Sequence, residues 1–397
     1  MNLLNKTLYE LVTQNEKIAQ FLYDKQVIKE DNTMINTLGK KLTLGITLQS
    51  KKINKEIFIK ELETYLNQSD FDLTLVQAKE EDKNIKIKGV LPCPVRIQML
   101  EKVEEFKQKN DCDDFSIELQ AASMGLTWLK DSVKNANSSD DIADLYLSAG
   151  FELFFDKDLI GKFRDENIFE NYSGIAKYNS DFENDTISLR DPKGLYSVLA
   201  VVPAVFLVNE NELGGRPIPT SWEEILSEEW ENSVSISVGD FDMFNALLLN
   251  MYKLYGFDGI KKLARSFHKS MHPSEMVTSN RKNDKPAVSI MPFFFSKMAK
   301  KPMTIVWPKE GAVLSPIFML SKKDKKKELK PVVDFFSGKE IGEILSHQGR
   351  FPSVHPEVDN MLSSDYRFVW VGWDMIHNED ISALIQSCKE IFEANTI

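Results

Sequence analysis

Cysteine is scarce in this 397-residue chain: Cys93, Cys112 and Cys388 are odd in number and far apart. Such scatter makes neither a disulfide framework nor a zinc site and suits a reducing compartment. There are five histidines, and only His268 and His272 stand at the four-residue spacing that puts two ligands on one helical face. Pro273 directly after them argues against a continuing helix, so no metal is expected. Long apolar runs are missing too. Nothing approaches the roughly 18 consecutive apolar residues of a spanning helix, and the opening MNLLNKTLYELVTQNEK carries no export leader or lipoprotein cysteine. A cytoplasmic location is expected from that terminus. Also absent are GxGxxG, GxxxxGK(S/T), GxSxG and HExxH. With no nucleotide cradle and no catalytic constellation, the chain is expected to bind rather than to catalyse, and to need no cofactor.

What is present is an ordinary globular composition, 42% apolar and 27% charged, in a chain long enough for two or three domains. The net charge of −11 repels a polyphosphate backbone and excludes nucleic acid as a partner. One basic run, Lys322-Lys323-Asp324-Lys325-Lys326-Lys327, reads as a solvated turn.

Residues 1–80 form a helical module: Leu8, Leu11 and Val12, then Ile18, Phe21 and Leu22, then Ile57, Phe58, Leu62 and Leu66 recur at helical spacing. The polar run 79–84 follows as a linker. From Ile85 short apolar runs alternate with helical patterns, the rhythm of βαβ units and a parallel sheet. SVLAVVPAVFLVN (197–209) is too short to span a membrane and long for one strand, so it reads as a strand crossing between lobes; TIVWPKEGAVLSPIFMLSK (304–322) reads as the return. In PTSWEEIL, Ser221 and Glu224 form a capping box. The expected domains are a helical module at 1–80, a first lobe at 85–203, a second lobe at 204–310, and the return crossing with the rest of the first lobe at 311–397.

In open α/β sheets ligands settle beyond the carboxyl ends of strands. That rule selects Pro92, Cys93, Ser123, Met124, Ser148 and Gly150 in the first lobe, and Asp240, Met243, Phe293 and Phe294 in the second. Cys93, close to a helix amino terminus, is the most reactive of them and opens one alternative, a cleft enzyme with a thiol nucleophile. The rings and methionines favour a small organic ligand with an apolar body, and helix amino termini add room for one anionic group.

The ordered phrases DPKGLYSV…VPAVFLVN, PTSWEEIL…EEWENSVSIS, YGFDGIKKLA, AVSIMPFFF, IVWPKEGAVLSPIFML and VVDFFSGKEIGEILSHQGRFPSVHPEV resemble type 2 solute-binding proteins of ABC importers, in the branch similar to ferric-iron-binding proteins. The resemblance covers about residues 85–365. It implies two α/β lobes joined by two crossing strands, a ligand cleft between them, hinge closure and no enzymatic activity. In ferric-binding relatives adjacent tyrosines follow the strand that AVSIM resembles; here Phe293-Phe294-Phe295 offer no phenolate oxygen. The module 1–80 resembles the small helical domain found with hybrid-cluster and iron–sulfur repair proteins, yet it lacks the cysteine pair frequent there. It is therefore expected to dock a partner, an ABC permease or another protein. Without a leader, the chain is expected to be a cytoplasmic sensor or carrier; the alternative is a conventional importer component for iron or another small solute.

Overall fold

A computed structural model describes residues 3–14, 18–19, 22, 27–28, 37–51, 55, 58–59, 62, 84–110, 114–121, 126–238, 241–281 and 284–396. The chain divides into two compact units, Met1–Glu80 and Glu81–Ile397.

Within the amino-terminal unit, Thr7 and Glu10 cap the helix Leu8–Gln14 reciprocally: Glu10 N donates to Thr7 Oγ1 at 3.2 Å and Thr7 N to Glu10 Oε2 at 2.8 Å. Thr43 caps the helix Leu44–Ser50 by accepting from Ile46 N. Leu8, Leu11, Ile18, Leu22, Phe58 and Leu62, which the helical spacing selects, close one apolar core together with Leu44 and Leu48, whereas Phe21, Ile57 and Leu66 lie outside the described residues.

The larger unit is built on one sheet. Its strands are β1 (Ile85–Leu91), β2 (Phe115–Ala121), β3 (Leu145–Ala149), β4 (Tyr196–Asn209), β5 (Val234–Ile236), β6 (Phe267–Ser270), β7 (Val288–Pro292), β8 (Met303–Val306), β9 (Ala312–Ser321) and β10 (Phe368–Val369). They run in the order β2-β1-β3-β9-β4-β7-β5-β6, with β10 on β9 and β8 on β4. β1 pairs in parallel with β2 and β3 in the first lobe, and β5 pairs in parallel with β6 and β7 in the second. The long strands β4 and β9 are antiparallel partners from Tyr196↔Leu320 to Ala204↔Val313. Beyond that register β4 continues into the second lobe, where Ala204 pairs with Pro292 and Phe206 with Val306. These are the two crossing strands, and their unbroken apolar sequence follows from burial on both faces.

Two smaller cores belong to one lobe each. Ile85, Met99, Leu147, Val332, Phe336 and Phe351 pack on the first, while Val205, Leu207, Met271, Met276 and Met291 pack under the second. A larger shared cluster runs behind the crossing strands. The last helix, Ile381–Asn395, sets Phe392 against Phe244 and Phe267 of the second lobe at 5.2 and 5.4 Å, and Ser382 Oγ donates to Phe155 O of the first. The tail, read from sequence as part of the first lobe, therefore touches both.

Two sequence expectations need correction. The run 322–327 is not solvated throughout: Lys322 is 5% exposed, with its ammonium on Asp144 Oδ1 at 2.9 Å and Ile142 O at 3.0 Å. In the capping box, Ser221 Oγ accepts from Glu224 N as read, but the Glu224 carboxylate accepts from Thr220 N, one residue before the cap.

Candidate functional site: the cleft between the lobes

Of the loops expected at strand ends, those at Gly150 and Asp242 approach each other. Pro92 ends β1 half-buried, and its carbonyl accepts from Val95 N in the turn Cys93–Val95. The Cys93 side chain, Ser123, Met124 and Asp240 lie outside the described residues. Gly150, just past β3, takes φ +84° and donates its N–H to Pro316 O. A Cβ there would lie 2.1 Å from Asp242 Oδ1, so the two lobes meet backbone to carboxylate at this point. Only glycine fits both that backbone and that approach. Asp242 stands in the first turn of the helix Phe241–Ser266; its loop was selected from the sequence, with Asp240 rather than Asp242 as the choice.

Ser148 and Met243 do not line an open wall in this conformation. Ser148 is fully buried opposite Phe318 in the β3–β9 register, and Met243 belongs to the shared core. Strand-end logic finds the correct loop, but side-chain direction is set by the pleat and by the helix face, which shift between neighbours.

The three phenylalanines divide. Phe293 and Phe295 pack against the second-lobe core, whereas Phe294 packs against the first-lobe core. Phe294 lies 5.0 Å from Phe351 and 4.2 Å from Phe295, ring centre to ring centre. Phe293 meets Trp307 edge-on at 5.2 Å, and the Arg350 guanidinium sits 5.3 Å from the Phe293 ring centre. Sequence reasoning missed Arg350 and Phe351, which no local motif marks. The one available signal was the left-handed turn they need, visible only as a Gly-Arg-Phe-Pro string: Arg350 has φ +55°.

The first lobe also holds a buried cation. Arg96 opens the helix Arg96–Lys109 directly after β1, is 9% exposed, and burial lowers its pKa from the ordinary value. Among the described residues no group of three His, Cys, Asp or Glu is placed to hold a metal. His268 lies on β6, paired with Asp284, while His272 caps a separate short helix. Cys388 is buried and its thiol is pushed up to about 12 by desolvation, which makes it inert.

Two surface hollows lie off the cleft. One of about 540 Å³ is lined by Glu223, Glu224, Lys309 and Glu310, but Glu310 is already engaged by Trp222 N and Glu223 N. Another of about 280 Å³ contains Lys157, Arg164 and Asp380, which are committed to an ion pair and to Ile376 O.

Residues 140–379 match the family model of bacterial extracellular solute-binding proteins. The chain belongs to that family. This segment includes both crossing strands and the whole second lobe, so a binding, non-enzymatic role follows from membership. Among solved structures, the periplasmic binding protein AfuA of Actinobacillus pleuropneumoniae, with fructose-6-phosphate bound, aligns at TM-score 0.56 and 16% identity over 79% of this chain and 99% of its own. An ABC transporter structure from Clostridium perfringens gives TM-score 0.55 at 16% identity over 78% and 100%. The ferric-iron-binding protein A of Mannheimia haemolytica, in an open conformation, gives 0.54 at 12% over 78% and 99%. At these identities the likeness is one of fold. A search of curated proteins by sequence finds no match.

Proposed function

We propose that this solute-binding protein is the capture component of an ABC importer, and that its cleft takes a small organic solute carrying an anionic group. The family match across the second lobe and both crossing strands is the observation that carries the importer role. Two features support the ligand class. Rings rather than phenolates stand at Phe293–Phe295, which favours an apolar or sugar surface over a hard cation. Arg96, buried at the start of the helix that follows β1, adds a positive charge to the carboxyl-end side of that strand. The fold holds a sugar phosphate in the Actinobacillus protein and serves ferric iron in the Mannheimia protein, so the side chains decide.

The test is a panel of fructose 6-phosphate, citrate, neutral sugars and ferric citrate, read by thermal shift and native mass spectrometry. A binder at a hundred times its Kd adds about 2.7 kcal/mol of stability and a one-to-one mass increment. Stabilisation by ferric ion alone would overturn the organic-solute reading. Deleting the gene should abolish uptake of the identified solute; unchanged uptake, with the protein fractionating in the cytoplasm, would favour the sensor reading instead. A permease is the expected partner, and the unit 1–80 its candidate docking module.

A further inference from the structure

We infer that Phe293, Phe294, Arg350 and Phe351 form a clasp that holds the two lobes closed without a bound solute. Phe294 follows β7 of the second lobe and packs its partly buried ring against the first-lobe core beside Phe351, at 5.0 Å. Arg350, next to Phe351 in the chain, reaches back over the Phe293 ring, which belongs to the second-lobe core. Each contact joins a second-lobe ring to a first-lobe residue. On the other side, Gly150 lies against Asp242. The lobes are joined by β4 and β9, so separating them at this point would part Phe294 from Phe351 and return some surface of both rings to water. Exposing ring surface in this way opposes opening, and it biases the equilibrium toward the closed state before any solute arrives.

This inference rests on the hinged fold and not on the ligand class, so the full chain, stripped of solute by dialysis, is the material to test. Spin labels carried on non-natural residues at positions 109 and 262 would report the distance between lobes, since Lys109 and Lys262 are exposed, one on each lobe. The parental chain should give one short distance. Phe294→Ala should raise the ratio of open to closed about tenfold, as loss of a partly buried ring predicts. Arg350→Ala should raise it by a smaller factor while leaving the Phe294–Phe351 contact intact. Phe294→Leu serves if the alanine variant does not fold, and melting curves check that each variant does. Three results would overturn the clasp: a parental chain mostly open without solute, a closed state seen only while mass spectrometry still detects solute, or unchanged distances in folded variants.

Discussion

Lys322 and Asp144 are each almost wholly buried, and the carboxylate also accepts from Lys86 N at 2.8 Å, so one pair ties β9 to the entries of β3 and β1. Removing one partner strands the other. Lys322→Met should cost about 3–5 kcal/mol in urea denaturation, whereas Asp144→Asn with Lys322→Met should recover part of it. No more than a marginal loss in the single variant would mean that the charge is solvated after all. His355 makes a different prediction. Burial holds its pKa below the ordinary value, and Glu357 N donates to Nδ1 at 3.2 Å, a bond that protonation destroys. The Glu357 and Glu343 carboxylates oppose the shift, while Lys339 adds to it. The unfolded chain therefore takes up the proton first. This contribution to stability is complete above the ordinary histidine value of about 6.5 and is lost as pH falls below it through the folded pKa. An NMR titration placing His355 above its ordinary value would contradict this. Neither residue was legible as special in the sequence. A lysine opening a basic run looks solvated, and only the β3–β9 pairing, far apart in the chain, reveals its partner.

At the scale of elements the legible features were those carried by continuous pattern. The apolar run 197–209 announced β4 because nearly all of it is buried on both faces, and the helical spacing in 1–80 announced its core. The run 304–322 was read as one return strand and holds two, β8 and the crossing strand β9. Short strands such as β6, β8 and β10 were missed, being too brief to display a period. The helix after β5, Phe241–Ser266, runs across a break at Gly256 with φ +63° and ψ −162°. That conformation is open essentially to glycine alone. A Cβ there would meet nothing within 4 Å, so substitution isolates the backbone cost from any clash. Gly256→Ala should lower stability by about 1–3 kcal/mol without changing solute affinity. An unaltered denaturation midpoint would imply that the helix straightens at no cost.

For the whole molecule, closure depends on how nearly the lobes can approach, and Gly150 sets that limit on one side. Its replacement by alanine imposes two separate penalties, a strained left-handed backbone and a Cβ at 2.1, 2.6 and 2.9 Å from Asp242 Oδ1, Cγ and Cβ. The first penalty is local to the end of β3. The second depends on the approach of the two lobes, and it should therefore appear in the lobe equilibrium and in solute affinity. A double-mutant cycle separates them. Gly150→Ala should open the lobes and weaken binding of whichever solute the panel identifies by about ten- to a hundredfold, corresponding to the 1–3 kcal/mol usual for coupling between sites. Asp242→Gly removes all three obstructing atoms, so in its background Gly150→Ala should lose most of that effect on affinity while keeping its effect on unfolding. If the alanine weakens binding equally in both backgrounds, then the contact between Gly150 and Asp242 does not limit closure and the hinge is governed from the clasp side alone.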